Sequence, residues 1–205
     1  MQKQTESSFF NLGEAERAQR MGKLGMGVLI ISLSILFAAT ILGLTVAYIS
    51  PTYRKPETPV SFPLGFYIST LIIIISSFTM SRAVRIARSS VDNYVNPSST
   101  LSHTLLLGCI FVVMQGFNWG QLIREQITPY TPDLFVFSLY ILTILHLLHV
   151  IGGLIPLISL AKRSKRGDRS AVLTGSIESA ATYWHFLAVV WYVVVVVLLF
   201  ICYSR

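Results

Sequence analysis

Five stretches of this chain run for about 20 residues or more without an Asp, Glu, Lys or Arg, long enough at about 1.5 Å per residue to cross roughly 30 Å of hydrocarbon. They lie near residues 24–50, 62–81, 101–122, 134–161 and 176–203, the last becoming charge-free just after Glu178. In lipid each segment must satisfy its own backbone polar groups, so the pattern dictates an all-α membrane protein, a bundle of five transmembrane helices. Hydrophobic residues fill 53% of the 205 positions and charged residues 12%, which excludes an ordinary soluble domain. Short connections and the lack of repeats or low-complexity tracts predict one membrane domain over 1–205, preceded by a polar tail at 1–23. That tail mixes acids, bases and amides and lacks the basic start and short apolar core of a cleaved signal, so the first helix is expected to be retained.

The net charge of +7 raises the question of nucleic acid, and the distribution of charge answers it. With the helices alternating in direction, Lys3, Arg17, Arg20, Lys23, Arg82, Arg85, Arg88, Lys162, Arg163, Lys165, Arg166 and Arg169 fall on one side. Arg54, Lys55, Arg124 and Arg205 fall on the other. The positive-inside rule places the side with twelve bases, and hence the N-terminus, in the cytoplasm and the C-terminus outside. The sequence KRSKRGDR also suits anionic lipid headgroups, each base contributing about 1 kcal/mol near such a surface.

The spans carry polar groups that lipid does not accommodate cheaply. His146 and His149, three residues apart, share a helix face. In the last span Glu178, His185 and Tyr192 recur every seven residues, with Trp184 and Trp191 alongside, a line expected to face protein. Counting residues along antiparallel helices puts His149 roughly 18 Å and His185 roughly 14 Å from the cytoplasmic surface, close enough in depth to be neighbours. Gly108, Gly116 and Gly120 predict a small-residue stripe, and Gly152 with Gly153 another close approach, beside a Pro156 expected to loosen the end of its helix. Cys109 and Cys202 lack any partner at metal-ligand spacing and read as apolar packing.

These groups allow three chemistries. Haem ligation would take one histidine from each side of the iron; His149 with His185 meets that geometry, whereas His146 and His149 on one face do not. Ion transport would want acids in several helices, and only Glu178 lies within a span. Hydrogen bonding between helices explains the burial of His146, His149 and His185 without a cofactor.

The strings themselves add a resemblance. FSLYILTILHLLHVIGGLI resembles the motif Thr-Gly-x-His-Gly-x-His-Val-x-x-Gly of subunit III of haem-copper oxidases, through Thr143, His146, His149, Val150 and Gly153. ESAATYWHFLAVVWYVVVVV is similar to the last helix of that family, through Glu178, Tyr183, Trp184, His185, Phe186, Val190 and Trp191. SLSILFAATI, through Ser32 and Phe37, and VVMQGFNWGQ resemble two further helices, so the likeness covers all five spans of a short form of the subunit. Three carboxylates usual in the family are replaced, by Leu33, Asn118 and Ala188.

The resemblance implies a non-catalytic accessory subunit of a respiratory terminal oxidase in a bacterial inner membrane, with no catalytic, cofactor or metal residues of its own. Haem and copper would then belong to partner subunits. It further implies packing on subunit I and phospholipid held in a cleft between the first two helices and the rest, with His146, His149, Glu178, Trp184 and His185 as interhelical or lipid-cleft residues. The missing acids point to a mainly structural copy. Two alternatives stand beside it: a subunit III-like component of a quinol oxidase or nitric oxide reductase, and, in another class, a stand-alone membrane binding or transport protein.

Overall fold

The computed structural model describes residues 2–50, 63–89, 96–131 and 133–203, with side chains at Arg17 and from Arg20 onward. Arg54, Lys55 and Arg205, and the side chain of Lys3, lie outside the described residues. The chain forms five helices, α1 (Gln2–Ile49), α2 (Leu64–Ser89), α3 (Ser98–Arg124), α4 (Leu134–Lys165) and α5 (Ala171–Tyr203). All five are long and apolar enough to span a membrane.

Each helix outlasts the apolar run that announces it, because charge ends a membrane span without ending a helix. The expected tail at 1–23 is largely helical and continuous with the first span; its sequence Glu14 to Gln19 consists of strong helix formers with no Gly or Pro. Helix α2 likewise carries Arg82, Arg85 and Arg88 on its last turns. Helix α4 runs through Pro156 to Lys165 without a break. It begins at Asp133, whose carboxylate accepts the Phe135 N–H at 2.9 Å, and gives way to Gly167, which takes a left-handed φ of 85°.

Helices α2, α3, α4 and α5 close a four-membered ring, each packing on the next, with α5 returning to α2. The tightest seam, α2 on α3, follows from two matching patterns. Phe66, Ser69, Ile73, Ser76, Met80, Ala83 and Ala87 are buried on α2, and Leu101, Thr104, Gly108, Phe111, Gln115, Asn118 and Leu122 on α3. Both alternate steps of three and four, the spacing that keeps one stripe against a neighbouring helix. Helix α1 lies outside this ring across α4 and α5, burying only Leu33, Phe37 and Leu44 of its described apolar side chains.

This arrangement revises several expectations. No cleft divides the first two helices from the rest: α2 belongs to the ring, and among the described residues α1 does not pack on it. Gly108 meets Leu154 and Trp184, but Gly116 and Gly120 have nothing near their faces, since eight residues turn a helix by about 80° off a common stripe. Gly153 fits against Tyr183, whereas Gly152 faces outward. Cys109 is exposed on α3 and does not pack inside the bundle, while Cys202 is half-buried.

Candidate functional site

The polar groups within the spans form a seam that runs through the ring and ends in a charged pair. All three tryptophans of the chain donate their indole N–H to a hydroxyl on another helix. Trp119 reaches Thr143 Oγ1 at 3.2 Å, Trp184 reaches Ser76 Oγ at 3.0 Å and Trp191 reaches Thr70 Oγ1 at 3.1 Å. Asn118 donates to Ser69 Oγ at 3.3 Å and fills the space beside Gly65. A side chain on Gly65 would collide with that amide, so the glycine is what lets α2 and α3 approach here.

The histidines have separate settings. His146 is fully buried between the rings of Phe37, Phe111 and Trp191, with centroids 6.3, 5.8 and 5.0 Å away. Its ring nitrogens, like the amide of buried Gln115, have no hydrogen-bond partner among the described residues. His149 donates its Nδ1–H to the Leu145 carbonyl at 2.6 Å and rests on Phe37, while Tyr183 donates to the His149 carbonyl at 3.0 Å. His185 faces α2, with Ser77 Oγ 2.5 Å from Nδ1 and Ser81 Oγ 3.2 Å from Nε2. The Ser81 hydroxyl donates to the Ser77 carbonyl, so its oxygen accepts from His185 Nε2–H and Nδ1 accepts from Ser77. The expected neighbourhood of His149 and His185 is therefore not formed: one turns toward α1 and the other toward α2.

Nor does the line of sevens on α5 keep one environment. Glu178 and His185 are half-buried, but Tyr192 is 59% exposed. Two heptads drift by about 40° on a straight helix, which carries Tyr192 out of the seam. Trp184 and Trp191, one residue ahead, stay buried. Glu178 accepts from Arg88 Nε at 2.8 Å and ties the ends of α5 and α2.

The expected basic side is assembled as one end of the bundle. Lys23 lines a groove with Arg88, and Arg163 lines another with Gly22, so the basic ends of α1, α2 and α4 coincide. The two grooves flank α1. One, of about 560 Å³, lies against α4 and α5 and is lined by Met26, Gly153, Pro156, Arg163, Tyr183 and Trp184 among others. The second, of about 530 Å³, opens toward α2. Beyond them, Asp168 closes the turn between α4 and α5. The Ser170 backbone N–H, then the Ser170 hydroxyl and the Arg163 guanidinium, hold its carboxyl below the usual 3.8.

Arg88 and the hydroxyls of α2 do not stand out in the sequence as functional residues, yet they partner Glu178, His185, Trp184 and Trp191. Of these only Ser76 had a signal, its spacing of seven from Ser69 in the buried stripe of α2; Thr70, Ser77 and Arg88 lie off that stripe.

Thr143, His146 and Val150 are buried, His149 is half-buried and Gly153 packs against Tyr183, so the motif of α4 closes onto that of α5. No curated protein matched the chain. The family model of cytochrome c oxidase subunit III matches residues 4–203, nearly the whole sequence. With all five helices inside that match, the chain belongs to the cytochrome c oxidase subunit III family.

Proposed function

We propose that this protein is a structural accessory subunit that packs on the haem-copper subunit I of a cytochrome c oxidase in a bacterial inner membrane, its basic end in the cytoplasm. Family membership implies a place in a membrane-embedded oxidase complex with other subunits. The observation that carries the structural reading is the state of the three positions where acids are replaced. Leu33 is buried at 6% exposure, Asn118 is buried and bonded to Ser69, and Ala188 packs against the core. Groups that would carry protons are exchanged for groups that pack, and catalysis and metal centres are left to the partners. The groove of Met26, Pro156, Arg163 and Trp184 supports a role in holding phospholipid: an apolar wall with one cation at its basic end suits an acyl chain and a phosphate.

Affinity purification of the tagged chain from its own membranes in mild detergent tests this reading. The expected result is copurification of a haem-copper subunit I in equal amount, with the haem spectrum following that subunit. A chain that purifies alone and binds a small-molecule substrate would replace it with the stand-alone binding or transport reading.

A further inference from the structure

Helix α1 is held against the ring in its outer half and stands off it in its cytoplasmic half. Leu33, Phe37 and Leu44 are buried, whereas from Arg20 to Ser32 no described side chain is, and only Met26 and Ile30 reach half-burial against the core. The two grooves that flank this half share just two lining residues, Met26 of α1 and Ser179 of α5. At that depth the ridge between them is one thioether side chain over a serine. Around the ridge both helices present small groups, Gly22 and Gly27 on α1 and Ser176, Ser179, Ala180 and Thr182 on α5. A Cβ placed on Gly22, Gly25 or Gly27 would meet no described atom within 4 Å. Glycines in a membrane helix ordinarily admit a close neighbour, and these three weaken the helix without admitting one in this arrangement.

We propose that the cytoplasmic half of α1 is a lid that pivots at Leu33 and closes on α5 once the Met26 side chain swings off Ser179. Methionine suits a removable prop, being unbranched with three rotatable bonds. The movement required is small. Met26 lies about 10 Å along the axis from Leu33, and packed helices stand about 8–10 Å apart according to the side chains between them. Closing a gap of about 2 Å therefore takes a tilt of about 11° at the pivot. A helix simply packed on the ring would bury side chains along its whole length, and α1 does so only from Leu33 outward. The closed form gains contact between the small faces, the packing that joins helices in lipid, and both grooves narrow together because they lie on either side of the same ridge. The device goes beyond the accessory role above and depends on no partner subunit.

Disulfide trapping in native membranes tests the lid, using the full chain with Cys109→Ala and Cys202→Ala as background and Gly22→Cys/Ser176→Cys as the reporting pair. Disulfides join Cβ atoms about 3.8 Å apart, and the Cβ position of Gly22 has no described atom within 4 Å, so the bond reports closure. Under copper-phenanthroline, peptide mass spectrometry should find the disulfide forming about tenfold faster in Met26→Ala and about tenfold more slowly in Met26→Trp, a shift of about 1.4 kcal/mol in either direction. The pair Val28→Cys/Ser176→Cys should stay reduced, because Val28 is 64% exposed on the outward side of α1. In a second measurement, a single Gly27→Cys should be alkylated by a maleimide about tenfold more slowly in Met26→Ala, since closure covers that position. Equal rates across the three residues at position 26, no disulfide in Met26→Ala, trapping of the Val28 pair at the rate of the Gly22 pair, or unchanged alkylation of Gly27→Cys would each overturn the proposal. Subunit I copurified from the same membranes is read separately, so failure of the lid and failure of the oxidase reading are distinguishable.

Discussion

Trp184 on α5 donates its indole N–H to Ser76 on α2 at 3.0 Å, and both residues are buried where the two helices cross. The same indole packs against Gly108 of α3, so one side chain joins three members of the ring. Trp184→Phe removes the donor and Ser76→Ala the acceptor, and the cycle subtracts the packing lost with the larger indole. A double-mutant cycle followed by detergent unfolding should give a coupling of about 0.6 to 1.7 kcal/mol, the range for hydrogen bonds between membrane helices. Additive losses would show that the contact is packing alone.

His146, buried, and His185, half-buried, should respond in opposite directions. His185→Leu leaves the half-buried Ser77 and exposed Ser81 hydroxyls without the ring they share, which should cost about 1 kcal/mol, the net worth of a typical hydrogen bond. His146→Leu or Gln115→Met removes polar atoms that have no partner among the described residues, so these changes should be neutral or stabilising. Thermal unfolding in one detergent ranks the three. A large loss from both His146→Leu and Gln115→Met would show that those groups are satisfied in the folded protein.

The five spans were legible because hydropathy and the absence of charge are properties of the chain alone. The buried stripes of α2 and α3 were not legible in this way, because apolar residues such as Leu71, Phe78, Leu106 and Phe117 also fill the outward faces of those helices. The partners within the seam were not: a serine on α2 bonds to Trp184 or His185 only because α2 lies beside α5, a pairing of helices that no single-helix pattern contains. The position of α1 shows the same limit. Its long apolar run fixes a span, but only Leu33, Phe37 and Leu44 of its described apolar side chains are buried, and nothing in so uniform a stretch distinguishes a ring member from a helix laid outside it.

Asp168 makes the turn after α4 sensitive to acid. Its carboxylate accepts from Ser170 N–H at 3.0 Å and from Arg163 Nη2 at 2.8 Å, and Ser170 Oγ in turn accepts from Leu173 N–H at the start of α5. Because the folded carboxyl sits below the usual 3.8, its stabilisation is fully present above that pH and is lost as pH falls through the lowered value. The Ser170 and Leu173 amides should therefore exchange faster on acidification through that window, after correction for intrinsic rates. In Asp168→Asn the added exchange should be present already at neutral pH and the acid dependence gone. An acid dependence that survives the substitution would assign it to another group.

Carboxylate-directed carbodiimide separates a packing subunit from a proton-handling one. Among the residues whose side chains are described the carboxylates are Glu125, Asp133, Asp168 and Glu178, and all lie at or near helix ends. At the replaced positions Leu33 is apolar, Asn118 is an amide held by Ser69 and Ala188 is a methyl group. Mass mapping of the treated complex should find no modified residue in the middle of a span, and Leu33→Glu should create one, because a carboxyl among apolar neighbours favours the protonated form the reagent attacks. The Leu33→Glu subunit should also dock less well, since the new group enters a face that α1 uses against the ring. Deleting the whole chain should shorten the life of the oxidase and lower its yield before it changes protons pumped per electron. If Leu33→Glu raised pumping efficiency, or if deletion left assembly and lifetime intact while stopping pumping at once, the chain would be part of the proton path and the structural reading would fall.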